Sequence, residues 1–134
     1  MKKKVLILCT GNSCRSIMAE ALINARLGEC IEAQSSGVEA SGIVNPDAKE
    51  LLKAKGEWKE SYHSKTIDKV INTAFDLVVT VCEHAKETCP VFPKAVKSLH
   101  VSFADPSGKA LQEYEKTYAL IKAGLLPIIK KELC

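Results

Sequence analysis

The chain predicts an α/β fold: a single domain over residues 1–134 with an open parallel sheet of about four strands flanked by helices. Three observations carry this. Short β-branched and aliphatic runs without polar interruption read as strands buried on both faces, as parallel strands are. They alternate with helix-forming stretches, and no repeat or low-complexity tract breaks the alternation, which is the pattern of a doubly wound sheet. The length, 134 residues, suits one hydrophobic core.

The first strand is Val5-Leu6-Ile7-Leu8. From Ser16 onward Ile17, Ala21 and the Leu22/Ile23 pair recur at helical spacing among good helix formers. Ile31 to Ser35 reads as a second strand, ending at the turn Ser36-Gly37. Asn45-Pro46 opens a helix over Asp47 to Lys55, with Pro46 in its first turn and Gly56 at its end. Thr66 to Asn72 is expected to be a short helix with Asp68-Lys69 exposed, and Phe75 to Val81 a strand. Leu99 to Phe103 is the fourth candidate strand and Ala110 to Leu133 a terminal amphipathic helix. Pro127 removes a helix N–H and crowds the carbonyl of Ala123, so a kink or break is expected near Leu125.

Composition excludes several function classes. The net charge of +3 is small and concentrates in Lys2-Lys3-Lys4, a solvated start to the first strand, and aromatics are scarce; neither suits a nucleic-acid surface. No span approaches bilayer length, and Val5 to Cys9 is too short for a signal-peptide core. A cytoplasmic monomer is expected. In that compartment six cysteines read as reactive, metal-binding or buried rather than as a disulfide framework, and Cys30 and Cys134 carry no motif.

The segment Cys9-Thr10-Gly11-Asn12-Ser13-Cys14-Arg15-Ser16 lies between the first strand and the first helix. There the first-turn N–H groups lack internal partners and the helix dipole is positive, so the loop suits an anion. Gly11 lets the backbone curl, and Arg15 offers a planar fork to two ligand oxygens. A thiol at Cys9 should then ionise below its ordinary value of about 8.5, through the dipole, Arg15 and a Ser16 hydrogen bond, and act as a nucleophile. The bland alternative is that Cys9, like Cys14, is a small buried hydrophobe.

Cys82-Glu83-His84-Ala85-Lys86-Glu87-Thr88-Cys89-Pro90 follows the strand ending at Val81. Ligands gather beyond the carboxyl ends of strands, so Cys82 should lie on the side of the Cys9 loop. Cys82 and Cys89 are about two helical turns apart, roughly 10 Å if helical. A disulfide needs Cα atoms about 5.5 Å apart, so bridging them requires the segment to unwind. Buried packing thiols are one alternative; a zinc site from Cys82, His84 and Cys89, with Cys9 or His63 as the fourth ligand, is another. Asp105-Pro106, before Ser107-Gly108-Lys109, is either a common loop dipeptide or a carboxyl placed to protonate a leaving oxygen.

Together the Cys9–Ser16 loop, Ser35-Ser36-Gly37, Asp76 to Cys82, Cys89-Pro90 and Asp105-Pro106 with Gly108-Lys109 resemble the low-molecular-weight protein tyrosine phosphatase family, more closely its thioredoxin-coupled arsenate reductase branch. The resemblance covers nearly the whole chain. It implies that Cys9, Thr10, Gly11, Asn12, Ser13, Cys14, Arg15 and Ser16 bind arsenate, that Cys9 attacks arsenic, and that Asp105 protonates the leaving oxygen. It further implies that Cys82 takes the Cys9 sulfur as a disulfide, that Cys89 then attacks Cys82, and that thioredoxin reduces the resulting pair. No metal or flavin cofactor is implied. Asn12 organises the loop and Ser16 stabilises the thiolate in such enzymes. Some members bind potassium through positions matching Asn12, Glu20, Ser35 and a Thr-x-Asp segment. Here that segment reads Ser64-Lys65-Thr66, without the carboxylate, which argues against potassium and for Lys65 as a substitute charge.

Two other functions fit parts of the pattern. A phosphatase for phosphotyrosine or small phosphate esters needs only the Cys9 loop and Asp105. Yet Gly42-Ile43-Val44-Asn45 lacks the aromatic that sandwiches a phenyl ring, and Ser107 rather than an aromatic follows Asp105-Pro106. Weak hydrolysis of para-nitrophenyl phosphate is still expected. A non-catalytic oxyanion- or zinc-binding protein is the third reading.

Overall fold

The computed structural model describes residues 2–88 and 96–134. Its elements run β1 (Lys3–Cys9), α1 (Arg15–Leu27), β2 (Ile31–Gly37), α2 (Pro46–Ala54), a 3-10 turn (Ile67–Lys69), β3 (Leu77–Thr80), α3 (Glu83–Thr88), β4 (Lys97–His100) and α4 (Leu111–Leu133). The four strands form one parallel sheet in the order β2-β1-β3-β4. The chain therefore leaves β1 towards one edge and later returns on the other side of it. That reversal opens a crevice at the carboxyl ends of β1 and β3.

Alternation along the strands divides the core. Val5, Ile7, Leu77 and Val79 face a large cluster built with α1, α2 and α4, while Leu6 and Val78 pack with Val70 on the opposite face. Ile67, Phe75 and Val96 extend that smaller cluster. Two-sided burial explains the unbroken apolar runs of β1 and β3.

Several expected boundaries move. The segment expected to be helical from Thr66 to Asn72 holds only the 3-10 turn Ile67–Lys69, and β3 is shorter than Phe75 to Val81. β4 covers Lys97–His100 rather than Leu99 to Phe103. As an edge strand with the half-exposed sequence Lys97-Ser98-Leu99-His100, it shows no apolar run by which to place it.

The expected break near Leu125 is absent, since α4 is one helix with Pro127 inside it. A helical proline costs about 3 kcal/mol through its lost bond and its clash. Leu125 and Ile129, on either side of it, are fully buried against the core, at about 1.5–3 kcal/mol each. The carbonyl that Pro127 deprives belongs to the exposed Ala123, where water can satisfy it. The helix also ends in a covalent anchor. Cys134 forms a disulfide with Cys30, just before β2, although the cysteines were expected to be reactive, metal-binding or buried rather than a disulfide framework. Their 104-residue separation left no local signal of the pairing.

Candidate active site

Cys9 ends β1 and Arg15 starts α1, so residues 10–14 must turn within a few ångströms. The turn is held from outside by its own carbonyls. The N–H groups of Val38, Glu39, Ser41 and Asn45 donate to the carbonyls of Cys9, Thr10, Gly11 and Ser13, and the Ser64 hydroxyl also donates to Gly11. Among the described residues, the N–H groups of Gly11, Asn12, Ser13 and Cys14 take no acceptor in the protein. Carbonyls turned outward and unused donors at a helix N-terminus make an anion cup. Its cavity, about 210 Å³, is lined by Cys9, Thr10, Gly11, Asn12, Ser13, Cys14, Arg15, Asp105 and Ser107.

Asn12 braces the cup from within. Its φ of 50° is in the left-handed region, which Asn tolerates better than most residues. Its side-chain amide donates to Ser16 Oγ (2.8 Å) and Ser35 Oγ (2.9 Å), and its carbonyl accepts from the Lys65 N–H (2.9 Å). Gly37 is required opposite the loop, because a Cβ there would lie 2.5 Å from the Thr10 carbonyl oxygen.

The register of β1 and β3 sets Leu8 beside Thr80, which brings Cys82 alongside the loop. Its Sγ lies 3.1 Å from Thr10 Oγ1. Burial raises the Cys82 thiol, but the Thr10 hydroxyl, the Ala85 N–H, the Cys9 thiol and Arg15 together hold it below the ordinary cysteine value. Cys9 behaves in the opposite way. Burial pushes it up to about 12, and Arg15 and the Thr10 N–H offset this only in part. The expectation that Cys9 ionises readily is thus corrected. Arg15 is engaged elsewhere, donating to the Phe103 carbonyl (3.0 Å) and lying 3.7 Å from Asp105, while the Cys9 S–H hydrogen-bonds to Cys82. Of the neighbouring pair, Cys82 carries the negative charge more readily. Cys14 is a buried packing thiol, also raised to about 12, first by burial and next by Asp105.

Asp105 lies beside the cup, in line with the family resemblance. Its carboxylate accepts the Ser107 N–H (3.0 Å). Although burial raises it, Ser107, Arg15 and Lys109 hold it below the usual carboxylate range. In this arrangement it is an anion paired with Arg15.

Over residues 4–133 the sequence matches the family described as low molecular weight phosphotyrosine protein phosphatase. The chain belongs to that family. An arsenate reductase of Staphylococcus haemolyticus is 43% identical over 124 residues, 92% of this chain and 94% of the relative. The structure of an arsenate reductase from Archaeoglobus fulgidus aligns with a TM-score of 0.80 at 35% identity, covering 94% of this chain and 98% of the other. A low molecular weight protein tyrosine phosphatase from T. tengcongensis aligns at 0.82 and 29% identity, covering 97% and 99%. Reductase and phosphatase backbones fit equally well, so any choice between the two activities has to come from side chains.

Against the phosphatase-family background two local features stand out. The loop after β2 presents Ile43, 70% exposed, and no aromatic ring. Behind the cup, Ser35 donates to the buried Glu20 at 2.6 Å. Burial raises Glu20, and Lys65 is foremost among the groups that favour its charged form. The potassium pattern does not fit here. Asn12 Oδ1 is taken by the Lys65 N–H, Ser35 Oγ serves Asn12 and Glu20, and the one carboxylate already has the Lys65 cation for company.

Sequence reasoning missed three participants: the Thr10 hydroxyl on Cys82, the Phe103 carbonyl on Arg15, and the Ser107 N–H on Asp105. Only Ser107, two residues from Asp105, could have been found from local turn chemistry. Of the residues proposed as zinc ligands, Cys89 lies outside the described residues. Among the described residues no group of three or more His, Cys, Asp or Glu gathers as a metal site.

Proposed function

We propose that this phosphatase-family enzyme reduces arsenate to arsenite, using Cys9, Cys82 and Cys89 in turn and a thioredoxin-type dithiol as reductant in the cytoplasm. The observation that carries the reading is the Cys82 thiol, 3.1 Å from Thr10 Oγ1, hydrogen-bonded to Cys9 and held below its ordinary pKa. A phosphate-ester hydrolase has no use for a second, readily ionised thiol beside its nucleophile. The arsenate reductase relatives support the same choice.

The chemistry follows from the cup. Dihydrogen arsenate binds the N–H groups of Gly11 to Cys14 and draws the Arg15 fork away from Phe103 and Asp105. Its negative charge, with Arg15 withdrawn, raises Asp105 so that it can hold and pass on a proton. The Cys9 proton passes to one oxygen of the bound arsenate, Cys9 sulfur bonds to arsenic, and an arsenate hydroxyl protonated by Asp105 departs as water. The Cys82 thiolate then attacks Cys9 sulfur. The S–As bond breaks with its electron pair going to arsenic, so arsenic(V) becomes arsenic(III) and leaves as the monoanion of arsenite. Cys89 attacks Cys82, freeing Cys9 as a thiol, and an external dithiol reduces the Cys82–Cys89 disulfide. The electrons come from dithiols, and the relay uses no cofactor. The oxyanion cup of Cys9 to Ser16 also accepts phosphate, so slow hydrolysis of para-nitrophenyl phosphate accompanies the reductase activity.

The test is arsenate-dependent NADPH oxidation with thioredoxin and thioredoxin reductase. Cys9→Ser, Cys82→Ser and Cys89→Ser should each abolish it, while only Cys9→Ser abolishes phosphate-ester hydrolysis. Full reductase turnover by Cys89→Ser would refute the relay.

A further inference from the structure

The strand-to-helix junction at Cys82 is spanned by a side chain that the relay does not use. His100, the last residue of β4, stands in register with Thr80, the last of β3. Its Nδ1 lies 2.7 Å from Thr80 Oγ1 and its Nε2 2.9 Å from Glu83 Oε1. The imidazole therefore bridges the residue two before Cys82 and the residue just after it. β4 and its extension are themselves fastened there, with the Val101 N–H on the Thr80 carbonyl (2.9 Å) and the Phe103 N–H on that of Val81 (3.2 Å).

Glu83 is the first residue of α3, and the Ala85 N–H in that first turn donates to the Cys82 sulfur. The thiolate thus caps its own helix, and any displacement of Glu83 changes where that sulfur points. A six-residue helix has little stability of its own and depends on such tethers. We propose that His100 is a positioning residue for the second step: by holding Glu83 and Thr80 it aims the Cys82 sulfur at Cys9. The proposal rests on the relay reading. It also accounts for two opposed demands on the segment, which must be fixed while Cys82 attacks Cys9 and must unwind for Cys89 to reach Cys82. Forming the Cys9–Cys82 bond removes the thiolate cap, leaving the imidazole on Glu83 as a remaining tether of the first turn.

The experiment is a single turnover in the Cys89→Ser background, where the Cys9–Cys82 disulfide accumulates, with arsenate as the only oxidant and disulfide formation followed by mass spectrometry. Adding His100→Ala should slow disulfide formation on the order of tenfold, as loss of orientation does. Para-nitrophenyl phosphate hydrolysis, which needs only the cup, should stay within about twofold of the parent, since the second step alone depends on aim. Gln places an amide nitrogen near the position of Nε2 and Asn near that of Nδ1. His100→Gln should therefore restore most of the rate through Glu83, and His100→Asn should restore less. Glu83→Ala, at an exposed side chain, should show the same selective slowing and keeps the test available if His100→Ala fails to fold. Unchanged disulfide formation in His100→Ala or Glu83→Ala overturns the proposal, as does equal loss of both activities in Glu83→Ala. Absence of the disulfide when His100 and Glu83 are both intact would instead refute the relay.

Discussion

The two neighbouring thiols, Cys9 and Cys82, are held in opposite ways. The Cys9 loop is fixed by four wall N–H groups and a hydroxyl on its carbonyls, by an asparagine with three side-chain bonds, and by a glycine whose neighbour leaves no room for a Cβ. The Cys82 junction is held by the Thr10 hydroxyl, the His100 bridge and a helix of six residues. A cup that recognises a tetrahedral oxyanion gains from rigidity, because donors fixed in advance need no reorganisation when charge arrives. The junction at the start of the short helix rests instead on a few side-chain tethers. The electrostatics divide the same way. Burial keeps the proton on Cys9, and four favourable partners let the equally buried Cys82 lose its own more readily.

The contrast can be broken from either side. The largest effect is expected from Asn12→Ala, which removes three hydrogen bonds, two of them buried, and leaves Ser16 and Ser35 short of a donor. A destabilisation of about 2–4 kcal/mol, read by chemical denaturation, should accompany loss of both arsenate and phosphate-ester turnover. Cys134→Ser, which opens the disulfide at the far end of the sheet, should cost stability on a similar scale but leave the chemistry intact. Closing a loop of this length contributes roughly 2–5 kcal/mol, so Tm should fall while both activities persist at low temperature. If arsenate turnover also fell at low temperature, α4 would have to bear on the thiol site.

Smaller and more selective is Thr10→Val, which takes away the hydroxyl that favours the Cys82 thiolate. The Cys82 pKa then rises, so arsenate turnover should drop at neutral pH and recover as pH increases, with ester hydrolysis little changed. An unshifted pH–rate profile would remove Thr10 from the role assigned to it. The smallest effect concerns Glu20. Its folded pKa lies above the ordinary 4.5, so the folded state binds a proton more tightly than the unfolded chain. Its contribution is fully present below about pH 4.5 and is lost as pH rises through the folded value. Glu20→Gln should therefore flatten the decline in stability across that interval, measured as denaturation midpoint against pH.

Much of the cup was legible because it is local. Cys9 to Ser16 are contiguous, and an apolar strand running into a helix places a thiol and an arginine at one mouth whatever surrounds them. Cys82 was legible as a strand end, but its hydrogen bond to Thr10 depends on the register between β1 and β3. Thiol acidity was misread for a related reason. The helix dipole and Arg15 are visible in the sequence, whereas burial of Cys9 and diversion of Arg15 to Phe103 and Asp105 are not. Pro127 shows the limit of local rules, since the buried residues on either side of it outweigh the break it would cause alone.

The amino-acid sequence by itself determined the alternation of elements, the anion cup and the family, because each rests on neighbouring residues and short-range periodicity. The tertiary structure alone decided which of the two thiols is the more acidic, how Arg15 and Asp105 are paired, that Cys30 bonds Cys134, and that His100 bridges the Cys82 junction. Each of these depends on burial or on contact between residues far apart in the chain, and such distances are set only when the sheet order and register are complete.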